Sequence, residues 1–276
     1  MRGVAYAGGV GVAGILSRTS AIFLRDAQIA TSYGAAFGLQ LLGTVVAAAV
    51  SYCIALGAGN PTVAGGARYF DYLAVNMAFY GFQSTALLTF AEAIRESQLV
   101  GTLEVMLSTP TSIPVLILST GLWAFMFCGL QTSLFLATAV AFGLNLSHTN
   151  VLTVLVFLVL TIACISPLGV LAASVTMVFK KAGPVEFFFN NAALLCGGVF
   201  LPVDKLPAPL QIFSWLLPIS HALNGLRAGV LGTPITHVIG DVVWLGVASI
   251  VLVPLSLLAF ARAVRAARVD GTLGSY

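Results

Sequence analysis

The sequence predicts an all-α polytopic membrane protein with six transmembrane helices, an N-terminal interfacial helix and extracytoplasmic re-entrant helices before the last span. Three observations carry this. Of 276 residues, 59% are hydrophobic and only 8% charged, against about 25% charged in an ordinary soluble domain. So few charges cannot coat a surface facing water, and the outside of the fold must meet lipid. The apolar runs are also continuous rather than alternating, and a lipid-facing backbone must satisfy its own hydrogen bonds, which a helix does. Finally, the basic residues cluster between apolar runs in a way that assigns sides.

A hydrocarbon core about 30 Å thick needs roughly 20 helical residues. That ruler places spans at 33–56, 72–94, 113–142, 151–178, 185–203 and 238–261, within a single transmembrane domain covering 1–276. With both termini in the cytoplasm, Arg2, Arg18, Arg25, Arg95, Lys180, Lys181, Arg262, Arg265 and Arg268 lie inside. Arg68, Lys205 and Arg227 lie outside, and this asymmetry sets the expected topology. The run from Arg2 to Leu16 is rich in Gly, poor in Leu and followed by Arg18 and Arg25 instead of a cleavage site, so it is not expected to be a secretory signal. Residues 12–30 are expected to form an amphipathic helix on the cytoplasmic face, with Leu16, Phe23 and Ala27 opposite Arg18 and Arg25.

Between 201 and 237, with its outer re-entrant part at 204–237, Pro202, Pro207, Pro209 and Pro218 cut the chain into pieces. The pieces 210–217 and 219–231 are apolar but reach only about 12 and 20 Å, too short to cross. They are expected to dip into the outer leaflet and return, with Trp215 near the interface and Arg227 at headgroup depth or in a protein-lined cavity.

Little in the chain suits catalysis. Cys53, Cys128, Cys164 and Cys196 are scattered through apolar stretches and read as small buried hydrophobes. His148, His221 and His237 lack the spacing that puts two metal ligands on one helix face. No Ser, His and carboxylate grouping stands out. A phosphate-binding Walker A loop needs a lysine after a glycine, whereas the lysines here follow Phe179, Lys180 and Asp204. The expectation is a chain with no enzymatic activity, metal or cofactor of its own.

The most polar inner segment, 92–110, reads as a helix lying along the membrane. Leu99, Val100, Leu103, Met106 and Leu107 form one face, and Ser97, Gly101, Glu104 and Ser108 lie opposite. Gly101 weakens it and Pro110 ends it. On these residues alone it is either a solvating connector or a contact for a partner.

Three stretches in order resemble the permease subunits of type-2 ATP-binding-cassette exporters. They are RDAQIATSY at 25–33, IRESQLVGTLEVMLSTP at 94–110 and FLPVDKLPAPLQIFSWLLPISHALNGLR at 200–227. The resemblance covers about 16–262. It implies that 92–110 is a coupling region moved by a separate nucleotide-binding subunit, through Glu96, Gln98, Gly101, Thr102 and Glu104. Leu99 and Leu103 would hold that helix to its own protein. It also implies that Arg25 and Asp26 belong to the family's helix leading into the first span, at a cytoplasmic groove. The SYGAAFGLQ after the RD pair departs from the pattern common in polysaccharide exporters, which speaks against a long-chain sugar cargo.

The resemblance further implies a second permease half, expected as a homodimer, and two ATPase subunits that bind ATP and Mg, in a bacterial inner membrane.

Candidate pathway residues are Gln40 on the first span, Asn76, Phe79, Tyr80 and Gln83 on the second, and Phe187, Phe188, Asn190 and Asn191 on the fifth. Aromatic and amide groups together suit an amphipathic or lipid-like cargo such as a drug, antibiotic, lipid or glycan precursor. The same amides could join helices to one another, at about 0.6 kcal/mol per bond. An ion-coupled secondary transporter would carry an acid near the bilayer midplane, but the acids here sit near span ends. A membrane-embedded enzyme or scaffold is the remaining alternative.

Overall fold

A computed structural model describes residues 34–63, 67–100, 113–179 and 183–269, with Phe23, Leu24, Ala27, Gln28 and Ser32. Side chains are described except at 96–100, 113–120, 178–186 and 267–269. Eight α-helices follow in these residues: α1 (Gly34–Gly57), α2 (Tyr69–Val100), α3 (Ile113–Ala141), α4 (Val151–Phe179), α5 (Gly183–Cys196), α6 (Ala208–Leu216), α7 (Pro218–Val230) and α8 (Ile239–Val269). No β-strand occurs among the described residues, only a single bridge between Thr62 and Arg68. The expected all-α membrane architecture is what is found.

Among the described residues, four segments are long and apolar enough to cross a membrane: Gly34–Gly57, Gly121–Ala141, Val151–Met177 and Ile235–Ala266. The count of six is not settled by length and apolarity. The 32-residue helix α2 is long enough but interrupts its apolar residues with Asn76, Gln83, Glu92, Arg95 and Glu96. The 14-residue α5 rises only about 21 Å.

Helix α4 is the centre of the bundle, packed against α2, α7 and α8. Its contact with α2 closes at Gly169, where a Cβ would lie 2.3 Å from the Ala86 carbonyl oxygen, so only glycine permits this approach. One apolar cluster joins the bodies of the helices around Tyr72, Leu73, Phe157, Cys164 and Leu223. A second gathers Phe90, Ile94, Met177, Phe260 and Val264, which brings the C-terminal ends of α2, α4 and α8 together. The three helices therefore run parallel, as alternating connections require.

The opposite end holds the turns. Arg68 makes a two-pronged ion pair with Asp71, both contacts 2.9 Å, and donates to the Gly143 carbonyl at 2.6 Å. Asn150 N donates to the Gly229 carbonyl at 2.8 Å, and Thr149 Oγ1 to the Val230 carbonyl at 3.1 Å, closing the end of α7. Hydroxyls inside the apolar helices bond back to their own backbone four residues earlier, as Ser51, Thr161, Ser174 and Thr176 do. These four hydroxyls are thereby satisfied without a partner helix.

Three boundaries differ from the sequence expectation. Helix α2 runs on to Val100, so the expected second span and the first residues of the expected 92–110 helix form one continuous helix in the described residues. Helix α8 continues to Val269, with Ala263 and Val264 buried at the shared end. Helix α5 ends at Cys196 instead of 203, where Gly197 and Gly198 follow and Gly198 adopts φ 78°. The stretch expected as the fifth span is thus a short helix followed by irregular backbone.

Candidate functional site

The break after α5 is irregular backbone whose polar groups need partners inside an apolar bundle. Side chains from other helices supply them. Ser214 of α6 donates to the Cys196 carbonyl, and Tyr72 of α2 donates to the Gly198 carbonyl. Asn76, one turn further along α2, donates to the Gly198 carbonyl at 2.9 Å and reaches the Val199 carbonyl at 3.3 Å. Tyr80, one turn further again, donates to the Asn190 carbonyl at 3.1 Å. Residues 72, 76 and 80 form one stripe of α2 that holds α5 and the irregular backbone after it.

Chain direction then reverses. A short 3-10 turn at Val203–Lys205 leads into α6, and Pro207 and Pro218 begin α6 and α7 with φ values preset for a helix. Helix α7 lies antiparallel on α4: Gly229 meets Thr153 and Val154, and Gly225 meets the Phe157 ring. The Leu217, Pro218 and Ile219 turn shares a cavity of about 30 Å³ with Ile165 and Leu168 of α4 and with Gln83 and Leu87 of α2. The apex of the α6–α7 hairpin therefore sits about 20 Å along α4 from Val151, and α7 returns to the starting end. This is the re-entrant geometry expected from the prolines.

A polar cavity of about 250 Å³ opens between the hairpin, α2 and α8. Asp241, in the first turn of α8, accepts from His221 Nδ1 at 2.6 Å and from Asn224 Nδ2 at 2.6 Å. The Trp215 carbonyl lies 3.0 Å from His221 Nε2. Arg227 donates to Asn224 Oδ1 at 2.8 Å and stands 4.7 Å above the Tyr72 ring. The imidazole stacks on Trp244 with centroids 4.4 Å apart. Burial alone would lower the proton affinity of His221. Its bonds to Asp241 and to the Trp215 carbonyl, with the Asp241 charge, outweigh burial and raise the pKa above the ordinary imidazole value.

The nominated residues fall into separate places. Asn76 and Phe79 are buried, and Gln83 is buried with its Oε1 without a hydrogen-bond partner among the described residues. Tyr80 and Asn190 meet through the bond already given. Asn191 donates to the Phe187 carbonyl of its own helix at 2.7 Å. Gln40 is exposed on α1, and Phe187 and Phe188 are 71% and 59% exposed on α5, so they face lipid or another chain. Glu96 and Gln98 lie in the last turns of α2, their side chains outside the described residues. Gly101, Thr102, Glu104, Arg25 and Asp26 lie outside the described residues altogether, as does most of 12–30.

Sequence reasoning did not single out Tyr72, Asn224 or Asp241, weighed His221 only as a metal ligand, and placed Arg227 alone. A signal was available: His221, Asn224 and Arg227 recur at three-residue spacing on a helix whose other face is apolar.

Eight described helices, four of them with segments long and apolar enough to cross a membrane, and a proline-started hairpin ahead of the last one define a multi-pass membrane protein. Residues 15–231 match the family described as ABC-2 type transporter, and the chain belongs to that family. It is a membrane transport subunit of the permease type. Similar proteins include nodulation protein J of Rhizobium meliloti (strain 1021), 27% identical over 199 residues, covering 68% of this chain and 72% of the relative. Nodulation protein J of Rhizobium leguminosarum bv. trifolii is 28% identical over 198 residues, with 68% and 72% covered. That of Rhizobium leguminosarum bv. viciae is 28% identical over 201 residues, with 68% and 74% covered.

Proposed function

We propose that this chain is the membrane-spanning half of an ATP-driven exporter that moves an amphipathic or lipid-like compound out of the cytoplasm. A separate ATPase subunit binds ATP and Mg and supplies the energy. Two permease halves, each this chain, enclose the route, and two ATPases drive it. Both termini face the cytoplasm of a bacterial inner membrane, which puts the polar cavity on the outer side.

One observation supports this reading above the others: α2 is a single helix from Tyr69 to Val100. At 1.5 Å per residue it is a rod of about 48 Å. One end carries the Tyr72 and Asn76 clamp on the irregular backbone after α5, and the other carries Glu96 and Gln98 and leads into 101–110. A push at the coupling end reaches the outer clamp without passing through a flexible joint. ATP binding does useful work only if it favours one of two permease states, since equal interaction with both shifts nothing. Irregular backbone held by side chains is a natural two-state element.

The test is to tag the chain, extract it in mild detergent and identify what accompanies it. An ATPase with a Walker motif is expected in the purified complex. Nucleotide-independent transport by the purified chain would overturn the reading.

A further inference from the structure

We propose that His221 and Asp241 form a proton-held latch that fastens the re-entrant hairpin to the start of α8. The His221 ring is engaged on both sides. Its two nitrogens each face an oxygen: Asp241 Oδ1 lies 2.6 Å from Nδ1, and the Trp215 carbonyl lies 3.0 Å from Nε2. A neutral imidazole has one N–H. Beside an ionised carboxylate it would leave one nitrogen lone pair directed at an oxygen. Both contacts become hydrogen bonds only when one proton lies between Nε2 and the carbonyl and another between Nδ1 and Oδ1. The pair therefore holds one proton more than neutral imidazole plus carboxylate, whichever of the two groups carries it.

The surroundings leave this proton to the pair. Asp241 Oδ2 is engaged by Asn224. Arg227, on α7, is turned toward Asn224 and the Tyr72 ring. Asp204, from the 3-10 turn, and Tyr72, from α2, complete the ionisable groups lining the cavity. Helix α4, on which α7 lies, has no charged residue from Val151 to Phe179, and its one titratable side chain there is Cys164. Helix α8 presents Trp244 as a flat face to the ring.

The latch joins α6 through the Trp215 carbonyl, α7 through His221 and α8 through Asp241. Losing the proton leaves one N–H for two oxygens: it stays with the Asp241 carboxylate, the stronger acceptor, now without the extra proton's charge, and Nε2 turns a lone pair toward the Trp215 carbonyl, which loosens the α6–α7 turn and weakens its tie to α8. The direction follows from linkage. A group whose folded pKa is raised contributes stability fully below the unfolded value, and that contribution disappears as pH rises through the folded value. The hairpin is thus held at mildly acidic pH and loosened on the alkaline side. This inference concerns the permease chain by itself and stands apart from the ATPase reading.

The test uses the full chain in lipid nanodiscs, labelled with ¹⁵N in the histidine rings, with His221→Asn used to assign the His221 signal. The expected midpoint lies above the ordinary value of about 6.5 and falls to or below it in Asp241→Asn. The melting temperature of wild type should exceed that of Asp241→Asn by more at pH 6 than at pH 8.5. A wild-type midpoint at or below the ordinary value overturns the latch, and that result needs no variant to fold. An unchanged midpoint in a folded Asp241→Asn, or a melting gap independent of pH, overturns it as well.

Discussion

Asn76 reads on the page of the sequence as a polar residue in an apolar span, equally suited to cargo or to joining helices. In the fold its amide is spent on the carbonyls of Gly198 and Val199. Buried backbone acceptors that lose a donor cost about 1–3 kcal/mol. Asn76→Ala should therefore lower the melting temperature of the purified chain by several degrees while leaving it inserted; an unchanged transition would remove Asn76 from the clamp. At this scale the prolines were legible and the pairings were not. Pro207 and Pro218 start the helices that their fixed φ predicts. His221 and Asp241, 20 residues apart on different helices, leave no mark in a single sequence that links one to the other.

Among the elements, hydropathy marked where apolar chain lies but not where helix stops. The run through LLCGGVFLP stays apolar, so a window reading carries the fifth span to 203, whereas Gly197 and Gly198 end α5 at Cys196. In α2 the span reading ends near 94, where charges begin, and 92–110 reads as a second helix lying along the membrane, whereas one helix runs unbroken from Tyr69 to Val100. Apolarity and helicity are separate properties, so a change in one does not mark an end of the other. The hairpin depends on close approach of α7 to α4. A Cβ at Gly225 would lie 2.0 Å from the Phe157 ring. Gly225→Leu should destabilise the chain by about 1–3 kcal/mol through overpacking. Adding Phe157→Ala should restore part of it, measured by thermal unfolding in detergent; no recovery in the double variant would mean that α7 leaves α4 by another route.

For the whole molecule, the sequence carried the all-helical membrane class, the family and the approximate order of elements. It did not carry the count of crossings, because α2 is too polar and α5 too short to qualify by composition. Sidedness is the next requirement of the proposal. Lys205→Cys in a background lacking the four native cysteines should react with a membrane-impermeant thiol reagent in intact cells. Lys181→Cys should react only after the membrane is opened; the reverse pattern would place the hairpin in the cytoplasm.

The central claim is that the segment after α2 receives motion from a separate motor. The most direct measurement is on Glu104→Arg, reconstituted with the ATPase subunit in proteoliposomes, reading transport and ATP hydrolysis together. The account predicts an inserted permease with transport reduced at least about tenfold, which corresponds to about 1.4 kcal/mol of lost coupling, and no stimulation of hydrolysis by substrate. Normal transport with normal substrate-stimulated hydrolysis would contradict it.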